Sequence, residues 1–176
     1  MDLSDWQDRY FASADGLRLY YRDYAALEAG RVPVLCLPGL TRNCRDFAAT
    51  ALRLRHTRRV LSPDLRGRGR SQHDPNWQNY HPGTYLTDIA RLLEHAGVQR
   101  VVLLGTSLGG ILSMLLCATA PRLPAGVILN DIGPEVDPAG LARIASYVGR
   151  HAPATSWDDA VKIVRSTYEI ALPDLT

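Results

Sequence analysis

One serine stands between two glycines in the segment Gly105-Thr106-Ser107-Leu108-Gly109. This spacing fits the pattern Gly-x-Ser-x-Gly, in which the serine hydroxyl acts as a nucleophile in acyl transfer. Apolar residues come before the segment and a longer apolar stretch follows it, which predicts a strand, a tight turn and a helix. A serine at such a turn has a strained backbone that pushes its hydroxyl out of the sheet. The Leu108 N–H, at the start of the helix, would then point to where an oxyanion forms.

The elements that must position this serine alternate along the chain. A hairpin is predicted around Asp15-Gly16, followed by short apolar strands at 32–37, 60–62, 101–104 and 126–130. Apolar residues at helical spacing predict helices at 44–56, 84–95, 109–120, 138–148 and 157–170. Strands that alternate with helices need crossover connections and therefore form a parallel sheet. The predicted fold class is α/β, a three-layer sandwich with a mostly parallel sheet, an antiparallel N-terminal hairpin and helices on both faces.

Function in such sheets lies beyond the carboxyl ends of the strands, and three motifs are predicted to lie there. They are Leu37-Pro38-Gly39-Leu40, the loop Asp64-Leu-Arg-Gly-Arg-Gly-Arg-Ser71 and the serine segment. In this order and spacing they resemble the α/β-hydrolase superfamily, in its capped form with a serine nucleophile. The resemblance extends from Tyr10 to about Val148.

The resemblance implies roles for individual residues. Ser107 would be the nucleophile, and the backbone N–H groups of Leu40 and Leu108 would hold the oxyanion. Pro38 stands where the family often has histidine, which should matter little because the donor is a backbone group further on. Asp64 and Arg66 are expected to build their loop rather than to catalyse, since a carboxylate can accept backbone N–H bonds in a tight turn.

The family places an acid and then a histidine after the serine. Asp131, which ends the strand at 126–130, is the candidate acid, and a turn-forming role in Asn-Asp-Ile-Gly-Pro is the favoured alternative. Only His151 follows Ser107, between two predicted helices rather than after a final strand. The remaining histidines are His73 and His81 on the predicted loop 72–83, and His56 and His95 at helix ends.

The resemblance also predicts the domain organisation. Residues 1–133 would form the N-terminal part of the hydrolase core, and residues 134–176 the start of a helical cap. We expect the chain to be the N-terminal part of a longer hydrolase, an incomplete α/β-hydrolase fold with an incomplete catalytic set and little or no esterase turnover of its own. Two missing final strands would leave an unpaired sheet edge that favours self-association.

These features predict a serine hydrolase that acts on a small ester or a related acyl or carbon–carbon substrate. An aspartate at position 107 would instead have suggested dehalogenase or epoxide hydrolase chemistry. One alternative is a non-catalytic binding or interaction module on the same fold. A nucleotide-binding protein is disfavoured because Pro38-Gly39-Leu40-Thr41 is not a glycine-rich phosphate turn. No cofactor or metal is expected, and the glycines at 67 and 69 lack the lysine of a phosphate-binding loop.

Composition limits the partners. The chain of 176 residues carries 20 basic and 18 acidic side chains, a net charge of +2, and its arginine runs at 53–59 and 66–70 are expected to be solvated faces. A nucleic-acid partner is therefore not expected. Three cysteines, Cys36, Cys44 and Cys117, argue against a disulfide framework. No signal peptide and no apolar run of the ~20 residues needed for a membrane span is visible, so a cytoplasmic protein without a membrane partner is expected.

Overall fold

The computed structural model describes residues 5–28, 30–149 and 154–168. The elements follow the predicted alternation of strands and helices. The strands are β1 (Gln7–Ala12), β2 (Arg18–Tyr24), β3 (Val34–Leu37), β4 (Val60–Pro63), β5 (Val101–Thr106) and β6 (Pro124–Asn130). The helices are α1 (Ala48–Leu54), α2 (Pro82–His95), α3 (Leu108–Thr119), α4 (Pro138–Tyr147) and α5 (Trp157–Tyr168). Residues 169–170 of the last predicted helix lie outside the described residues.

Two segments differ in detail from the prediction. The helix predicted at 44–56 is divided into a 3₁₀ turn at Cys44–Phe47 and the shorter α1. The loop predicted at 72–83 contains a second 3₁₀ turn at Trp77–Asn79 and ends with the first residues of α2. In both places the predicted α-helix is present, whereas the sequence pattern does not predict the 3₁₀ turn before it, and local hydrogen bonding decides where the α-helix begins.

The strands form one mixed sheet in the order β1-β2-β4-β3-β5-β6. The hairpin β1–β2 joins β4 in antiparallel fashion, whereas β4, β3, β5 and β6 pair in parallel. The antiparallel N-terminal hairpin and the mostly parallel sheet are therefore confirmed. Because the parallel strands run the same way, Leu37, Pro63, Thr106 and Asn130 end them at one edge of the sheet.

Alternate residues of the central strands face two separate apolar clusters. Leu35 belongs to a cluster that packs against α2 and α3, whereas Val34 and Cys36 belong to a second cluster with Phe47 and Ala51 of the α1 region. Helices therefore cover both faces of the sheet, as the predicted three-layer sandwich requires. All four residues of β3 are buried, which explains why this strand reads as a continuous apolar run.

Strand β6 lies at one edge of the sheet and is the most open of the parallel strands. Its apolar residues Val127, Ile128 and Leu129 are 39%, 54% and 36% exposed. Among the described residues only β5 pairs with it. The sheet lacks closure at this edge, which agrees with an incomplete α/β-hydrolase fold.

The chain divides into two compact units, residues 1–134 and 135–176. The second unit contains α4, capped by the Asp137 side chain, and α5, where the Ser156 hydroxyl accepts a bond from the Asp159 N–H at 3.1 Å. Ser156 thus caps α5. The assignment of residues 134–176 to a cap stays a prediction. No described helix has both the length and the apolar character to cross a membrane.

Candidate active site

Ser107 lies at the turn between β5 and α3 and has an unusual backbone conformation. Its φ is 51° and its ψ is −115°, and Asp131 is the only other described non-glycine residue with positive φ. Such a conformation costs about 1–3 kcal/mol, so the surrounding structure must impose it. The predicted strained turn between strand and helix is therefore present at this serine.

Close packing around the turn explains the two flanking glycines. A methyl group at Gly105 would lie 2.3 Å from the Gly109 carbonyl oxygen, and one at Gly109 would lie 1.9 Å from that of Leu37. The start of α3 therefore approaches both β5 and the end of β3 at backbone distance. Side chains at these positions would push the helix away and release the serine turn.

The Leu108 N–H points out of the N-terminal end of α3. The carbonyl oxygen of the same peptide, on Ser107, accepts bonds from the N–H groups of Gly110 at 2.9 Å and Ile111 at 3.1 Å. A trans peptide directs its N–H opposite to its carbonyl, so the Leu108 N–H faces away from the helix. Among the described residues it has no acceptor, as expected of a first helical residue.

The Leu40 N–H is directed in a similar way. The Gly39 carbonyl, which shares its peptide with that N–H, accepts a bond from the Arg42 N–H at 3.2 Å. The Leu40 N–H therefore points away from this turn, and it too has no acceptor in the part of the chain that the structure describes. A methyl group at Gly39 would lie 3.7 Å from Ser107 Cβ. The loop after β3 therefore lies beside the serine.

Arg68 holds the Leu40 loop in place, a role that the sequence analysis did not find. Its Nε donates to the Leu40 carbonyl, and its Nη1 donates to the Tyr85 hydroxyl at 3.1 Å. Its guanidinium carbon lies 5.3 Å from the centre of the Tyr85 ring. The only available signal was the position of Arg68 within the glycine-punctuated loop, because nothing in the sequence indicates contact with Leu40.

Asp64 builds its loop as predicted. Its carboxylate accepts bonds from the backbone N–H groups of Cys44 and Arg70, both at 2.8 Å. Gly69, at a φ of 54°, leaves room for it, since a methyl group there would lie 2.0 Å from the Asp64 carboxylate. Asp64 therefore ties the loop after β3 to the loop after β4.

Arg66 is buried, so the prediction of a solvated face at 66–70 is wrong for this residue. Its guanidinium is 1% exposed and forms two bonds of 2.8 Å with Asp88, and it also pairs with Asp15 and Asp74 at 2.9 and 2.7 Å. The loop after β4 is thereby joined to the hairpin turn and to α2. The physical reason is that one planar guanidinium can bind several carboxylates of distant segments at once.

Arg66 acts to lower the pKa of all three carboxylates around it, but the net shift differs between them. The hydrogen bonds from Arg66 lower the pKa of Asp15 to about 2. Burial raises the pKa of Asp88, against the opposing effect of Arg66. The pKa of Asp74 is lowered, first by the Asn79 amide and also by the charge of Arg66.

Asp131 follows β6 at the same edge of the sheet as Ser107. It is exposed and has a φ of 55°, a conformation that aspartate tolerates in turns. The preceding residue, Asn130, accepts a bond from the Ser107 N–H at 3.3 Å through its carbonyl. The structure thus places the end of β6 beside the serine turn, and the role of Asp131 as an acid stays a prediction.

No described histidine contacts Ser107, and within the described ranges its hydroxyl has no hydrogen-bond partner. His73 Nδ1 lies 2.8 Å from the Tyr80 hydroxyl, and His81 Nδ1 caps α2 by accepting a bond from the Gly83 N–H at 3.1 Å. His95 packs against aromatic rings, and His56 is exposed. His151 lies outside the described residues.

Comparison with known proteins agrees with this geometry. The model of the alpha/beta hydrolase fold family matches residues 32–169. The chain belongs to the α/β-hydrolase fold family. The match includes the Leu40 loop, the Asp64 loop and the serine turn, which are the three segments that the structure brings to one edge of the sheet.

Three relatives illustrate the likeness. The chain is 37% identical over 133 residues to a 3-hydroxybutyrate-oligomer hydrolase from Cupriavidus necator, covering 75% of this chain and 45% of that protein. It is 31% identical over 157 residues to a probable serine hydrolase from Drosophila melanogaster, covering 79% and 46%. A crystal structure of an alpha/beta hydrolase from Novosphingobium aromaticivorans superposes with a TM-score of 0.90 at 46% identity, covering 99% and 61%. The chain thus spans about half the length of these two curated relatives.

Proposed function

We propose that this α/β-hydrolase chain carries the nucleophile and the oxyanion donors of a serine hydrolase that acts on a small ester or a related acyl or carbon–carbon substrate. The observation that carries the proposal is the backbone of Ser107, whose φ of 51° is imposed where β5 meets α3. A strained serine at this junction is the arrangement that presents a nucleophile. The name of the Cupriavidus necator relative, a 3-hydroxybutyrate-oligomer hydrolase, supports an acyl substrate.

In the proposed reaction, Ser107 Oγ attacks the carbonyl carbon of the substrate. The hydroxyl proton passes to a base, and the carbonyl oxygen becomes an oxyanion that accepts bonds from the Leu40 and Leu108 N–H groups. The leaving group departs with a proton, and an acyl group remains on Ser107. Water then attacks this acyl group, releasing the acid and restoring the serine. For a carbon–carbon substrate, the carbon–carbon bond breaks with its electron pair on the leaving carbon, which takes up the proton from the base.

The unpartnered N–H groups support the oxyanion role of Leu40 and Leu108. Each N–H is directed away from a carbonyl that is already bonded, so neither is used by the fold among the described residues. The N-terminal end of α3 adds a positive electrostatic field at the same place. Each donor of this kind contributes on the order of 10²–10³-fold to the rate of acyl transfer.

A fluorophosphonate probe tests the proposed nucleophile. We expect slow covalent labelling at Ser107 on prolonged incubation, located by peptide mass spectrometry, because oxyanion donors give residual assistance to attack even without a base in contact. Ser107→Ala should abolish labelling, whereas the matched variant Ser146→Ala, at an exposed serine of α4, should leave it unchanged. Absence of labelling in a chain with a native circular dichroism spectrum would contradict the proposal and favour a non-catalytic interaction module.

Turnover is a separate measurement. We propose that this chain by itself hydrolyses p-nitrophenyl esters slowly or not at all, because no described histidine lies in contact with Ser107 to take its proton. The rate above that of Ser107→Ala should be small. A fast rate that Ser107→Ala abolishes would contradict this expectation, while leaving the nucleophile assignment intact.

A further inference from the structure

A cavity of about 260 Å³ lies behind the loop that follows β3, and the proposed hydrolysis does not use it. It is lined by side chains of β2, of the 3₁₀ turn after Asn43 and of the Asp64 loop. The lining residues are Tyr20, Arg22, Asn43, Cys44, Arg45, Asp64, Gly69 and Arg70. Three arginines among these eight residues make the lining strongly basic.

Arg22 is the buried arginine among the residues that line this cavity. Only 9% of its surface is exposed, yet no described carboxylate lies within 4.0 Å of its guanidinium. Its Nε reaches the Tyr20 hydroxyl at 3.4 Å, and its guanidinium carbon lies 4.1 Å from the centre of the Trp6 ring. Against the opposing effect of burial, the Tyr24 and Tyr20 hydroxyls raise the pKa of Arg22. A guanidinium has five N–H donors, so two tyrosine hydroxyls leave donors of Arg22 that can bind a further acceptor.

The structure pairs other buried arginines differently. Arg66, which is also buried, binds three carboxylates, and the half-buried Arg59 binds both oxygens of Asp23 at 2.9 and 2.8 Å. A buried cation without an anion is costly, and a bound anion would remove that cost. Arg22 therefore differs from these two residues by facing a cavity instead of a carboxylate.

The remaining lining favours an anion in the same place. Arg45 is exposed at the cavity, and Arg70 is half-exposed and pairs with Asp8. The one lining carboxylate, Asp64, already accepts two backbone N–H bonds of 2.8 Å, which offset its charge. Burial raises the pKa of the Cys44 thiol to about 12, so this group is neutral.

We propose that this cavity binds a small oxyanion, with the guanidinium of Arg22 as its buried anchor and Arg45 as a second, exposed ligand. Phosphate, sulfate and carboxylate each present a pair of oxygen atoms, and arginine can bind such a pair through two of its N–H donors. The site is formed by β2 and by two loops of the first unit. Anion binding at this site does not depend on the chemistry of Ser107.

Isothermal titration of the protein with inorganic phosphate tests the site, at constant ionic strength with chloride as the balancing anion. We expect saturable binding of one phosphate per chain. Arg45→Glu should weaken binding at least about tenfold, because it replaces a ligand by a repelling charge. Arg53→Glu, at an exposed arginine of α1 outside the cavity, makes the same change of net charge and should leave the affinity within about twofold.

Arg22→Gln should abolish phosphate binding, and a thermal melt decides whether the variant is folded. If Arg22→Gln does not fold, the comparison of Arg45→Glu with Arg53→Glu still tests the location. No saturable binding in the unaltered protein, or equal losses in those two variants, would overturn the proposal. If acetate displaces phosphate at a concentration similar to that of phosphate, the site favours a carboxylate ligand. If acetate does not compete, the site favours phosphate or sulfate.

Discussion

Gly109 and Leu37 are in backbone contact, since a methyl group on Gly109 would lie 1.9 Å from the Leu37 carbonyl oxygen. The contact joins the first turn of α3 to the end of β3, and it leaves no room for a side chain. We therefore expect Gly109→Ala to lower the free energy of unfolding by about 3 kcal/mol, the upper range for overpacked sites. Urea unfolding followed by circular dichroism measures this loss.

Gly126→Ala is the matched control for that change. A methyl group at Gly126 in β6 would have no neighbour within 4 Å, so its effect should stay within about 0.5 kcal/mol. Equal stability of the two variants would show that α3 can move away from β3 without cost. The packing explanation for the glycine after the serine would then be wrong.

The strained backbone of Ser107 predicts a gain in stability on substitution by glycine. Ser107→Gly and Ser107→Ala both remove the hydroxyl, but only glycine adopts a φ of 51° with a ψ of −115° at little steric cost. We expect Ser107→Gly to be about 1 kcal/mol more stable than Ser107→Ala in urea unfolding. A glycine variant that is less stable than the alanine variant would argue against strain at this position.

The ion pair of Asp15 with Arg66 predicts a dependence of stability on pH. Arg66 lowers the pKa of Asp15 to about 2 in the folded chain, from an ordinary value of 3.8. A carboxyl group whose pKa is lowered by folding stabilises the fold above its unfolded pKa, and this contribution disappears as pH falls through the folded pKa. Asp15→Asn should therefore be less stable than the unaltered protein at pH 5, with the difference shrinking between about pH 4 and pH 2. A difference that does not change with pH would contradict this interpretation.

The exposed edge at β6 predicts self-association of the chain. Ile128 is 54% exposed on an edge strand whose neighbours Val127 and Leu129 are also exposed. We expect concentration-dependent association in sedimentation velocity, reduced by Ile128→Lys, because a charge on an edge strand opposes pairing. Leu27→Lys, at an exposed leucine outside β6 (61% exposed), should not reduce it. Association that both substitutions reduce equally would place the contact elsewhere.

The sequence by itself determined the order of elements and the place of the serine. Ser107 could be predicted because a run of apolar residues, two glycines and a second apolar stretch occur within one short segment. The hairpin, the parallel strands and the loop built by Asp64 also depend on local patterns, and each is present. Local sequence was less informative about the exact start of α1, because a 3₁₀ turn and an α-helix share similar apolar spacing.

Only the tertiary structure decided which distant side chains meet. Arg66 binds Asp15 across 51 positions and Asp88 across 22 positions of the chain, and its motif alone predicted a loop-building residue. Arg22 lacks a carboxylate among the described residues, and the cavity beside it is completed by Cys44, Arg45 and the Asp64 loop, which are distant in the sequence. Local sequence patterns encode helices and strands, whereas the pairing of charges depends on which segments the fold places side by side.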